Sequence, residues 1–184
     1  MDIKIIIIIG ILVLLFIYVI SVYNGLVSLK NKVKDSWSQI DVLLKRRSDL
    51  IPNLVETVKG YASHEKETLE NIIQARNNFN SASSKEDEIK ANNEITGALT
   101  KLFALSEAYP DLKANQNFLS LQNDLKDTED KISISRQFYN DSVLKYKNKL
   151  EMFPSNIIAS LFKFKPESFF EIAENDKEVP KVQF

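Results

Sequence analysis

From Ile5 to Val22 the chain reads IIIIIGILVLLFIYVISV, without a single charge. At 1.5 Å per residue, a helix of this length reaches across a hydrocarbon core of roughly 30 Å. The β-branched start, Ile5 to Ile9, would suit a buried strand. The run continues through Leu12, Leu14, Leu15 and Phe16, however, and becomes too long for one. A cleaved secretory signal is the rival reading, but its apolar core usually holds only about 7 to 15 residues and ends in a small-x-small site, and no convincing one follows this run. Residues 1–22 are therefore predicted to be an N-terminal transmembrane anchor. The lipid bilayer is its partner through Ile5 to Val22, and Tyr18 and Tyr23 suit the interface, where aromatic rings are favoured.

The lysine balance bears on orientation. Lys4 and the free amino group precede the run with Asp2 beside them, whereas Lys30, Lys32 and Lys34 follow it. By the positive-inside rule this predicts a single-pass protein of the cell membrane, with its N-terminus outside and the rest cytoplasmic.

Beyond the anchor the chain has room for one compact domain. With 27% charged residues and only Gly 4 and Pro 5, long helices are favoured over sheets. Two columns of residues spaced by seven support this: Leu26, Val33, Ile40, Arg47, Leu54, Tyr61, and beside it Trp37, Leu44, Ile51, Val58, extended by Ile72 and Phe79. A third column is Phe118, Leu125, Ile132, Tyr139, Tyr146, Phe153. A sustained seven-residue period implies left-handed packing of helices. The predicted fold is all-α: the transmembrane helix followed by an antiparallel up-and-down bundle of about four long helices.

The boundaries follow from local signals. Pro52 lacks a donor and its ring crowds the carbonyl four residues earlier, so a kink or break is expected near 48–52. Because the columns keep phase across it, a kinked but continuous helix to about Asn80 is preferred, with Asp49 as the N-cap if the helix restarts. The polar stretch 80–85 reads as a connection, and Ser84 with Asp87 three residues on resembles a weakened capping box for a helix to about Ala108. Tyr109-Pro110-Asp111 reads as the next connection, with Asp111 capping a helix to about Met152. The bundle is thus placed at 23–153. Residues 154–184 are left for a short amphipathic helix capped by Ser155, and a tail.

Chemistry is sparse. With Lys+Arg 24 against Asp+Glu 25, no global field draws the chain to nucleic acid. Cys 0 excludes disulfides and thiolate chemistry. His64 is the only histidine, and no second one follows four residues on, so the zinc-protease helix motif is absent. Neither a phosphate loop nor a nucleophile elbow is present. We expect no enzyme activity, no cofactor and no metal. The residues that stand out are Arg46, Arg47, Asp49, Pro52 and Tyr61. Arg47 interrupts an apolar column, where an unpaired charge would cost several kcal/mol. It is expected to bond to carbonyls freed by Pro52 or to a nearby carboxylate, and the group reads as a structural or interaction cluster.

Laid in order, these pieces resemble the LemA family of bacterial membrane-anchored proteins from about Tyr23 to Phe184. The resemblance rests on Tyr23-Asn24-Gly25-Leu26-Val27, on Trp37-Ser38-Gln39-Ile40-Asp41-Val42, and on Lys45-Arg46-Arg47 followed by Asp49-Leu50-Ile51-Pro52-Asn53-Leu54 through Tyr61. Glu107-Ala108-Tyr109-Pro110-Asp111 through Asn115, Phe138-Tyr139-Asn140-Asp141 and Phe153-Pro154-Ser155-Asn156 extend it. The resemblance implies a membrane helix and an antiparallel bundle of about four helices, and it supplies no catalytic mechanism. Its partial similarity to proteins that shape magnetosome membranes implies scaffolding. A membrane-anchored, non-enzymatic scaffold or protein-interaction module, self-associating and involved in membrane organisation, is the expected function; the alternative is a ligand-sensing bundle coupled to the membrane helix.

Overall fold

The computed structural model describes residues 2–170, and every regular element among them is a helix. In chain order these are α1 (Ile3–Lys59), α2 (Lys66–Ser81), α3 (Lys85–Ser106), α4 (Pro110–Lys113), α5 (Gln116–Glu151) and α6 (Ser155–Leu161). The all-α expectation holds, with four long helices and two short ones. The expected tail lies mostly outside the described residues.

Two compact units share the long helices α1 and α5: residues 2–39 with 135–169, and residues 40–134. In the first, the seven-residue columns supply the buried side chains Leu26, Val33, Trp37, Tyr139 and Tyr146. Trp37 meets Tyr139 edge-on at 5.3 Å, and the Ser36 and Ser142 hydroxyls lie 3.2 Å apart. Further along, Tyr23 meets Phe162, so the two chain segments run in opposite directions. In the second unit Ile40, Leu44, Ile51, Leu54 and Val58 are buried, as are Ile72, Phe79, Phe118, Leu125 and Ile132. There α2 and α3 form a helical hairpin, and Ser84 closes its turn by accepting from the Asp87 N–H at 3.1 Å. The Ser84 hydroxyl also donates to the Asp87 carboxylate at 2.7 Å, so the two residues that the sequence paired at this helix start do bond to each other.

Several boundaries differ from expectation. Pro52 does not break α1, and the continuous helix does not reach Asn80; it ends at Lys59, with the reversal at 60–65. The reason is that the one bond Pro52 removes, to the buried Ser48 carbonyl, is replaced by Arg76 Nε donating at 3.1 Å. Gly60 then favours termination through its low helix propensity. Tyr61 and Phe153 leave their columns and are exposed, because the helices carrying those columns stop at Lys59 and Glu151.

Asp111 does not cap the long helix either. It lies in the short α4, and Asn115 caps α5 by accepting from the Phe118 N–H at 3.0 Å. Ser155 is no N-cap: its hydroxyl donates to the carbonyls of Lys149 at 2.7 Å and Met152 at 2.8 Å, closing the end of α5.

Candidate functional site

The first site is the apolar run itself. Within α1 the side chains from Ile3 to Phe16 are all exposed, unlike those from Leu26 onward, where every seventh residue is buried. Among the described residues this is the one helix long and apolar enough to cross a membrane. So much exposed hydrocarbon is unfavourable in water at roughly 25 cal/mol per Å², and lipid is the surrounding that removes the cost.

The second site is centred on Arg47 in the unit 40–134. Its side chain is only 1% exposed. From α1 its guanidinium reaches α3, donating to the Asn92 carbonyl at 2.9 Å, to the Asn92 side-chain oxygen and to Thr96 Oγ1 at 3.0 Å. It also donates to the Glu129 carboxylate on α5, which is 39% exposed. Three helices are tied by one planar cation, which suits Arg because its donors form a fixed fork. Of the two expected partner classes, Arg47 thus takes the carboxylate, while the carbonyl freed by Pro52 goes to Arg76.

The other expected residues do not join it. Arg46 faces outward and makes a loose pair with Asp124 at 3.9 Å. Asp49 pairs with Lys45 along the helix surface at 3.2 Å. Tyr61 lies beyond the end of α1, accepting from Asn115 Nδ2 at 2.8 Å. Arg46, Arg47, Asp49, Pro52 and Tyr61 are therefore separate features strung over about four turns and not a convergent group.

The reversal at 60–65 has its own supports. Tyr109 Oη donates to Glu65 at 2.8 Å, and this bond to a carboxylate raises the phenol above its ordinary value. With Asn115 holding Tyr61, the Tyr109 to Asn115 segment clamps the turn between α1 and α2. His64 is exposed within that turn. Among the described residues no group of three or more His, Asp or Glu is placed to hold a metal ion.

Asn92, Thr96 and Glu129 were not singled out from the sequence. The signal was there for two of them: Asn92 sits three residues before buried Ile95, and Glu129 four after buried Leu125, so each interrupts an apolar stripe as Arg47 does. Beside the pair lies an open cleft of about 460 Å³ between α3 and α5. Leu99, Phe103 and Leu125 line it, with Thr96, Lys126 and Glu129 also in its wall. Glu88, at the start of α3, has one carboxylate oxygen buried without a hydrogen-bond partner. Burial first and the charge of Asp41 second raise its carboxyl above the usual value, against the opposing pull of Lys85.

An all-α bundle whose longest helix begins as a lipid-compatible run defines a membrane-associated helical protein. The chain belongs to the LemA family, whose model matches residues 36–184. It is 28% identical over 158 residues to Protein LemA of Metamycoplasma hominis, covering 84% of this chain and 71% of that one. It is 23% identical over 175 residues to Magnetosome protein MamQ 2 of Paramagnetospirillum magneticum and over 174 residues to Magnetosome protein MamQ of Magnetospirillum gryphiswaldense. Those alignments cover 81% and 80% of this chain and 64% of each MamQ protein, so the chain spans less than two thirds of their length. None of these names describes an enzyme.

Proposed function

We propose that this protein is a single-pass, non-enzymatic membrane scaffold that holds protein partners, or further copies of itself, at the bilayer surface. One observation carries the reading: the exposed apolar run and the buried bundle residues belong to the same uninterrupted helix, α1. A helix built this way ties the position of the domain to the membrane without an intervening loop. The engagement of Arg47 and Tyr61 in contacts that hold helices and the 60–65 turn together supports a structural role for them. The kinship with a magnetosome protein supports membrane organisation as the setting.

Chemical crosslinking in native membranes tests the reading: discrete oligomers or recurrent partners are expected, and a strictly monomeric, partner-free protein overturns it. The lysines after the run support a cytoplasmic side for the domain. The cysteine-free sequence makes that testable, because Ser83→Cys and Ser160→Cys should resist an impermeant maleimide on intact cells and react after lysis. Labelling without lysis puts the domain outside.

The cleft beside Glu129 favours a second reading, in which a small molecule binds between α3 and α5 and shifts the Arg47 contacts. A thermal-shift screen separates the two: stabilisation by a small molecule that disappears in Leu99→Trp supports sensing, and the absence of any such compound supports the scaffold.

A further inference from the structure

The short helix α6 carries apolar residues on both of its faces. Ser155, Ile158 and Ala159 form its buried face. The opposite face presents Ile157 and Leu161, one turn apart, at 59% and 70% exposure. The turn before it adds Met152 at 61% and Phe153 at 79%. From Met152 to Pro166, between Glu151 and Glu167, the chain holds two lysines, Lys163 and Lys165.

The position of this corner decides what covers it. Tyr23 directly follows the uncharged run, and Phe162 and Phe164 pack edge-on against its ring at 4.8 and 5.6 Å. The chain is turned to make both contacts: Lys163 takes the left-handed conformation, φ 56, while its N–H bonds to the Ser160 carbonyl and that of Phe164 to the Ala159 carbonyl. This is a Schellman ending with a lysine where glycine is usual, at a backbone cost of roughly 1–2 kcal/mol. The headgroup layer adds roughly 5 to 7 Å to each side of the hydrocarbon core. Tyr23 is one residue, about 1.5 Å, past the end of the run, so rings in contact with it lie in that layer.

We propose that α6 and the turn before it form a second membrane contact beside α1. Phe153, Ile157 and Leu161 enter the boundary between acyl chains and headgroups, and Lys163 and Lys165 lie at the level of the lipid phosphates. The inference rests on the anchoring reading above. Exposed apolar side chains followed by two lysines match the chemistry of an anionic bilayer surface.

The full chain, naturally free of cysteine, would be reconstituted in vesicles of phosphatidylcholine and phosphatidylglycerol. Single variants Val13→Cys, Phe138→Cys, Ile157→Cys and Leu161→Cys would each carry a nitroxide, with accessibility to oxygen and to a water-soluble nickel complex read by EPR. Phe138 is the aqueous reference, because its neighbour Tyr139 packs on Trp37, about 22 Å along α1 from Val22. Labels at 157 and 161 are expected to favour oxygen, more weakly than at 13 and unlike 138. Labels at 157 and 161 that match 138 overturn the contact while leaving the anchor intact. Low accessibility to both reagents means a protein surface covers the face, and that also overturns it. A water-exposed label at 13 instead defeats the anchoring reading itself.

Discussion

At the scale of single residues, the structure turns on polar groups that had to find partners once buried. Pro52 deprives the Ser48 carbonyl of its helical donor, and Arg76 supplies another. Arg76→Ala should therefore cost about 1–3 kcal/mol, the usual penalty for a buried unsatisfied acceptor. The same substitution should cost far less in a Pro52→Ala background, where an N–H returns at position 52; equal costs in a double-mutant cycle by urea unfolding would rule out this account. Two buried tyrosines make a matched comparison. Tyr139 Oη donates to the Ser168 carbonyl at 2.8 Å, whereas Tyr146 Oη is buried without a hydrogen-bond partner. Burial first, then the charge of Glu167, raises the Tyr146 phenol above its ordinary value. Tyr139→Phe should lose about 1 kcal/mol, and Tyr146→Phe should lose nothing or gain stability. Calorimetry on the two variants gives the ordering directly.

Glu88 supplies the pH dependence. Its folded carboxyl holds a proton more tightly than in the unfolded chain, whose value is near 4.5. Stability attributable to this group is therefore present below 4.5 and lost as pH rises through the elevated folded value. Glu88→Gln should raise the melting temperature at neutral pH, and the gain should vanish below pH 4.5. A gain that persists unchanged in acid would mean that ionisation is not its cause.

At the scale of elements, what matters is where each helix stops. The sequence signals for the α2–α3 hairpin were strong, because Ser84 and Asp87 act within one turn of each other. The start of α5 was misread for the opposite reason. Asp111 and Asn115 are both good caps, and the choice between them depends on Asn115 also holding Tyr61, which is distant in sequence. Asn115→Ala should accordingly cost about 1 kcal/mol or more, against a few tenths for Asp111→Ala, measured by chemical unfolding. A reversed order would return the cap to Asp111. Phe153 and Ser155 were similarly assigned by local pattern, to a core column and a cap, and ended as an exposed side chain and a closing group for α5.

At the scale of the whole molecule, the apolar run and the helical domain are separable in composition though continuous in backbone. Buried side chains of α1 begin at Val22. A chain lacking residues 2–20 should therefore move from the membrane to the soluble fraction and keep cooperative helical unfolding by circular dichroism. Loss of cooperative unfolding would show that the run stabilises the domain and does not only tether it. Retention in the membrane fraction would point to contacts beyond α1, such as the one proposed for α6.

The sequence by itself determined the apolar span, the all-α class, the seven-residue columns and the family, because each is written in composition or in a period that a helix repeats locally. Tertiary structure alone decided which polar residues became partners. Arg47 could have bonded to carbonyls near Pro52 or to any carboxylate; only the approach of α3 and α5 brought Asn92, Thr96 and Glu129 within hydrogen-bonding reach. The fate of the run's end was decided the same way. Its length marked a membrane helix, but that Tyr23 would seat Phe162 and Phe164 depended on a left-handed turn at Lys163 that no local pattern announces.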